Sequence, residues 1–199
     1  MDSRTRLSRY WIPSLLSLAL VIADQLSKAW IVSRVPLNTI HLRLFDDFLW
    51  IVHTRNLGIA FSIGDSVPGI VRLLLFILLP LGFIIGAITY FFRSTSLSLT
   101  QRYAVAFIVA GGSGNLLDRI FRAEGVVDFL SFSLFGLFGL ERFPTFNIAD
   151  TAINVGAALI LITGFFFDRK ISTSISEDQV LPPTPSTLPE KETADEDRS

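Results

Sequence analysis

The chain contains no cysteine and only two histidines, His41 and His53. The first absence excludes disulfides, thiolate metal sites and cysteine nucleophiles. The second leaves too few imidazoles for a zinc centre, so neither a metal nor a cofactor is expected. Charge is also sparse. Asp, Glu, Lys and Arg make up 18% of the residues, against ~25% in soluble domains. The basic residues form no stripe of the kind that tracks a phosphate backbone, so nucleic acid is not an expected partner. No internal repeat is visible, which argues against a duplicated transporter fold.

What is abundant is apolar. Half of the 199 residues are hydrophobic and 18 are Phe, and mean hydropathy is +0.53. These values place the chain among polytopic membrane proteins, with membrane lipids around it. Four segments approach the ~20 residues that cross a bilayer: about 11–32, 69–92, 103–121 and 148–167. Pro80 is expected to kink the second. The expected fold is a membrane α-helical bundle of four transmembrane helices, forming a single polytopic domain over 1–170. The first span has the basic start and apolar core of a signal peptide. It runs into Asp24-Gln25-Leu26-Ser27-Lys28 without a small-x-small cleavage signature, so a retained helix is expected.

Orientation follows the basic residues at the span ends. Arg4, Arg6 and Arg9 precede span one, Arg93 and Arg102 lie between spans two and three, and Arg169 and Lys170 follow span four. Both termini and the short middle loop are therefore expected in the cytoplasm. The connections 33–68 and 122–147 then face outward. Leu42-Arg43-Leu44-Phe45 and Phe48-Leu49-Trp50-Ile51-Val52 have strand character, so a small extracytoplasmic β-rich subdomain is expected in the first outer loop. Its Phe45, Phe48, Leu49 and Trp50 suit a membrane surface. Residues 177–199 hold seven acids against Lys191 and Arg198. Without them the rest of the chain keeps 15 basic and 11 acidic residues, a net +4. With Pro182, Pro183, Pro185 and Pro189, the segment 171–199 reads as a disordered, acidic, proline-rich cytoplasmic tail.

Against this background Asp128 and Asp150 stand out. A carboxylate near hydrocarbon costs at least ~2.5 kcal/mol at mid-bilayer, so one that is present is usually paired or functional. In the expected topology the polar residues gather at one membrane face. Asp24 and Lys28 lie in the outer half of span one, and Asn56 and Gly58 in the first outer loop. Asn115 and Arg119 end span three, Asp128 follows, and Asn147 and Asp150 open span four. Each has an ordinary explanation. Asp24 and Lys28 can neutralise each other at i, i+4, as can Asp118 and Arg122. Asn147 and Asp150 can form a helix N-terminal capping box. Asn115 and Arg119 share a helix face and can anchor it among headgroups. Convergence of five distant segments at one depth is what these explanations leave out.

Five motifs carry a further signal: Asp24-Gln25-Leu26-Ser27-Lys28, Asn56-Leu57-Gly58-Ile59-Ala60-Phe61, Gly114-Asn115-Leu116-Leu117-Asp118-Arg119, Val127-Asp128-Phe129 and Phe146-Asn147-Ile148-Ala149-Asp150. In this order, over roughly 11–168, the chain resembles the lipoprotein signal peptidases, the type II signal peptidases of bacteria. One departure is that Gly111-Gly112 sits one residue later than the family's usual glycine pair. The resemblance implies an aspartyl endopeptidase of the inner membrane that cuts diacylglyceryl-modified prolipoproteins just before the lipidated cysteine. It implies a catalytic dyad of Asp128 and Asp150 near the outer face. Asn56, Gly58, Asn115, Arg119, Asn147, Asp24 and Lys28 are then expected to bind substrate or support the dyad, in a monomer. Two other classes compete, a small proton-coupled transporter and a non-catalytic lipoprotein-binding scaffold. The first predicts polar residues spread through the bilayer depth, and the second predicts a broken dyad. The presenilin-like Gly-x-Gly-Asp signature is absent, since Gly112-Ser113-Gly114 is followed by Asn115.

Overall fold

The structure is a computed structural model and describes residues 7–57 and 69–178. Helix α1 (Ile12–Arg34) is preceded by one π-helical turn, Leu7–Trp11. Strands β1 (Ile40–Leu44) and β2 (Leu49–Asn56) follow. Helix α2 (Gly69–Arg93) has a π turn, Leu74–Leu78, within it. Helix α3 (Leu99–Phe121), strand β3 (Val126–Phe132) and helix α4 (Ile148–Asp178) complete the order. The first of two compact units is Met1–Thr163; in the second, Gly164–Ser199, α4 is helical as far as Asp178. Residues 179–199 of the acidic segment lie outside the described residues.

Among the described residues three helices are long and apolar enough to cross a membrane: Leu7–Arg34, Gly69–Arg93 and Leu99–Phe121. The described apolar part of α4, Ile148–Gly164, is shorter. The π turns have a common cause. Each ends two residues before a proline, Trp11 before Pro13 and Leu78 before Pro80. Proline cannot donate to the carbonyl four residues back and its ring crowds that carbonyl. Widening the preceding turn to i→i+5 bonding relieves this, so a π turn stands where the sequence alone suggests a kink.

Helix α3 begins at Leu99, four residues before the apolar run. Ser98 and Gln101 form a capping box, Ser98 Oγ accepting from the Gln101 N–H and Gln101 Oε1 from the Ser98 N–H. Arg102 in this first turn is fully buried. It donates to the carbonyls of Phe91 (2.8 Å) and Ser94 (2.7 Å) and lies 4.3 Å over the Tyr10 ring. The guanidinium thus satisfies carbonyls that the end of α2 leaves open.

The sheet is antiparallel, in the order β1-β2-β3. The two expected strands are present. The third comes from the other connection, 122–147, so the sheet ties both loops together instead of belonging to the first alone. Between the pairs Ile51↔Leu130 and Thr54↔Asp128, β2 has one residue more than β3. Such a bulge re-aims neighbouring side chains, and it sits beside Asp128. Beyond β3, Phe146 bridges to Leu130 with hydrogen bonds in both directions. That bridge brings Asn147 back alongside Asp128. Ile31, Val35, Val127 and Phe129 form the core under the sheet, with Ile148 packed against them.

Candidate functional site

The site is built where α1, α3, β3 and the start of α4 meet. Close approach of these elements depends on glycine. A Cβ at Gly114 would lie 2.6 Å from Asp24 Oδ2 and 3.1 Å from the Ala149 Cβ, and one at Gly111 would strike the Ala149 carbonyl. With no side chain at either position, α4 can start directly against α3.

Four charged groups form the inner part. Lys28 Nζ is buried and lies 2.8 Å from Asp24 Oδ2 and 3.1 Å from Asp118 Oδ2. It also donates to Asn115 Oδ1 at 3.0 Å. Arg122 adds a second cation, 3.2 Å from Asp118 Oδ1, so the two acids face two bases. Their remaining lone pairs are used. Asp24 Oδ1 accepts from the Ala149 N–H at 2.9 Å, holding the N-terminus of α4. Asp118 Oδ2 accepts from the Val127 N–H at 3.1 Å, holding the start of β3. Gln25 Nε2 reaches Asp24, Asp118 and the Gly114 carbonyl. The i, i+4 pairs expected from spacing are therefore present, and they also fix where α4 and β3 begin.

Asp128 and Asp150 are reached through amides. Asn147 Nδ2 donates to Asp128 Oδ1 at 2.7 Å, and the Asn147 N–H donates to Asp150 Oδ2 at 3.1 Å. Asn147 Oδ1 accepts from the Asp150 N–H at 2.9 Å, so the capping box is also real. Asn115 Nδ2 donates to the other oxygen of Asp150 at 2.8 Å, and the Asn56 side chain hydrogen-bonds Asp128. Asp128 is buried and Asp150 partly open. Burial pushes the Asp128 carboxyl up to about 6 and the Asp150 charge adds to this, against the pull of Asn56, Asn147 and Lys28.

A cavity of about 650 Å³ opens onto Asp150 between α2, α3 and α4. Asn115, Arg119 and Asp150 form its polar part; Leu79, Pro80, Phe83, Ile84, Ile108 and Ile153 form its apolar walls. Asn56, Asn115, Arg119, Asn147, Asp128 and Asp150 are thus brought together, with Asp24 and Lys28 behind them. Gly58 lies outside the described residues. Sequence reasoning missed Thr54, whose Oγ1 donates to the Asp128 carbonyl at 3.2 Å. It also missed Arg72. Its signal was available: it is the one charge between Gly69 and Phe92.

A family model described as signal peptidase (SPase) II matches residues 16–166. A protein of Borrelia garinii subsp. bavariensis named lipoprotein signal peptidase is 40% identical over 154 residues, covering 77% of this chain and 89% of that one. One of the same name from Treponema pallidum is 39% identical over 166 residues, covering 83% and 89%. A solved structure described as a bacterial membrane enzyme superimposes with a TM-score of 0.66 at 29% identity, covering 77% of this chain and 92% of that one.

Proposed function

The chain belongs to the signal peptidase II family, and on that premise we propose that it removes signal peptides from diacylglyceryl-modified prolipoproteins, with Asp128 and Asp150 as its catalytic pair. The carrying observation is Asn147, which contacts one carboxylate with its side chain and the other with its backbone. An amide in that position orients both acids without neutralising either.

The chemistry follows from the difference between the two acids. Asp128, raised to about 6, holds the shared proton. The Asp150 carboxylate takes a proton from water, and the water oxygen attacks the scissile carbonyl carbon. Asp128 donates to the carbonyl oxygen as the C=O bond opens. As the tetrahedral intermediate collapses, a hydroxyl proton returns to Asp128 while the C–N bond breaks and Asp150 passes its proton to the leaving amine. The pair titrates as a unit during this cycle. Arg119 and Asn115 face the same cavity as Asp150 and hold the peptide backbone there. The apolar walls take the lipidated, hydrophobic part of the substrate. The cleaved bond is the one preceding the lipidated cysteine.

The same reading makes α4 the fourth transmembrane span of a monomer in the inner membrane. Both termini are then cytoplasmic, and the sheet and the pair lie at the outer face. The test is cleavage of a diacylglyceryl-modified prolipoprotein by wild type, Asp128→Asn and Asp150→Asn, with folding checked for each. Loss in both folded variants supports the pair. Cleavage by either variant overturns the two-aspartate mechanism, and bound but uncut substrate with wild type points instead to a scaffold.

A further inference from the structure

On the other side of Arg119 from the Asp150 cavity lies a second one, of about 270 Å³. Its lining includes three arginines, Arg72 from the first turn of α2, Arg119 from the last turn of α3 and Arg122 just past its end, together with Asn56. Arg119 lies in the last turn of α3, and Arg122 is the extended residue that caps its C-terminus. Arg119 also leans on the Phe76 ring, 5.9 Å away.

Convergence of three like charges on one small space is unfavourable unless a counter-charge is present. Among the described residues the nearby acids are largely committed. Asp118 pairs with Arg122 and Lys28, Asp24 with Lys28, and Glu124 with Arg55 at 3.1 Å. Asp150 shares the other cavity with Arg119. Arg72 has no ion pair among the described residues, and its buried Nε and that of Arg119 have no hydrogen-bond partner there. A snorkelling arginine sends its head group to water; Arg72 and Arg119 instead line a common cavity while each keeps a buried, unpartnered Nε. The space holds a tetrahedral anion with several waters, at ~30 Å³ per water. Guanidinium groups match phosphate oxygens in geometry as well as charge.

We propose that the Arg72–Arg119–Arg122 cavity binds one phosphate-type anion, supplied by the headgroup of an anionic phospholipid. The lipid source follows from place: Arg72 opens an apolar helix long enough to span a bilayer, so the cavity lies where a headgroup lies. Because Arg119 lines both cavities, the bound anion holds its guanidinium beside the Asp128–Asp150 site. The inference concerns binding and stands apart from the peptidase reading.

The test uses the full chain in neutral detergent, equilibrated with mixed phosphatidylglycerol and phosphatidylcholine micelles, and measures retained lipid by native mass spectrometry. Wild type is expected to prefer phosphatidylglycerol. Arg72→Gln is expected to weaken that preference by about fivefold, the effect of one basic residue at an anionic surface, with Arg72→Lys retaining part of it. Equal retention of the two lipids by wild type, or an unchanged preference in Arg72→Gln, overturns the lipid site. Thermal stabilisation by inorganic phosphate that depends on Arg72, without lipid preference, keeps the anion site and overturns the headgroup as its source.

Discussion

Two pairs of acids sit within a few turns of each other and are treated in opposite ways. Asp24 and Asp118 share the buried ammonium of Lys28, with Arg122 as a second cation. Asp128 and Asp150 receive neutral amides from Asn56, Asn115 and Asn147. A cation in contact balances the charge of a buried carboxylate and makes it a structural fastener. An amide fixes its direction and leaves its proton exchangeable. The difference separates a framework from the proposed reacting centre with the same residue type.

The largest expected effect breaks the second pair. Asp128→Asn or Asp150→Asn should lower kcat for a lipidated prolipoprotein by about 10²–10⁴-fold, with the thermal midpoint in detergent little changed. Removing the cation from the first pair should act on stability. Lys28→Met leaves buried carboxylates uncompensated, at a cost of about 3–5 kcal/mol, read by unfolding in detergent. Adding Asp24→Asn and Asp118→Asn to that variant should recover much of the loss; no recovery would show that Lys28 is not needed as their counter-charge.

Acidity should sharpen the comparison further. With Asp128 near 6, kcat/KM should fall as pH rises above about 6 and the pair loses its shared proton. The stability effect has a definite sign. Between the ordinary value of 3.8 and about 6 the folded state holds the proton and the unfolded state has lost it. Stability therefore falls as pH rises through that window, by up to about 3 kcal/mol. Asp128→Asn should flatten this slope, and an unflattened slope assigns it to another group. The smallest effect lies at the far end of the sheet. Trp50 donates to Asp47 at 3.0 Å and carries Arg43 and Arg142 over its ring at 4.9 and 3.7 Å. Trp50→Ala should raise KM roughly two- to fivefold if this loop grips substrate, and unchanged kinetics would remove that role.

The helices were legible because long apolar runs need no partner to identify them. Asp128 and Asp150 were legible because their flanks are apolar. The capping reading of Asp150 and its place beside Asp128 turned out to be compatible, since Asn147 serves both. Strand β3 was harder: its pairing with β2 joins Thr54 to Asp128 across 74 positions of the sequence, and no local pattern reports that. Arg102 was read as a loop charge because it precedes the apolar run; it is buried because the ends of α2 offer it carbonyls. Arg72 lies within a run so apolar that its single charge was averaged away.

The π turn Leu74–Leu78 has one more consequence. It holds a residue more than an α-helical turn needs, directly before the stretch that walls the cavity beside Asp150. Deleting one residue there would let ordinary helical bonding close and would rotate all that follows by about 100°. Phe83 and Ile84 would swing away from the cavity although neither had been changed. The spare residue thus works as an indexing tooth, setting which side of α2 the neighbouring helices meet.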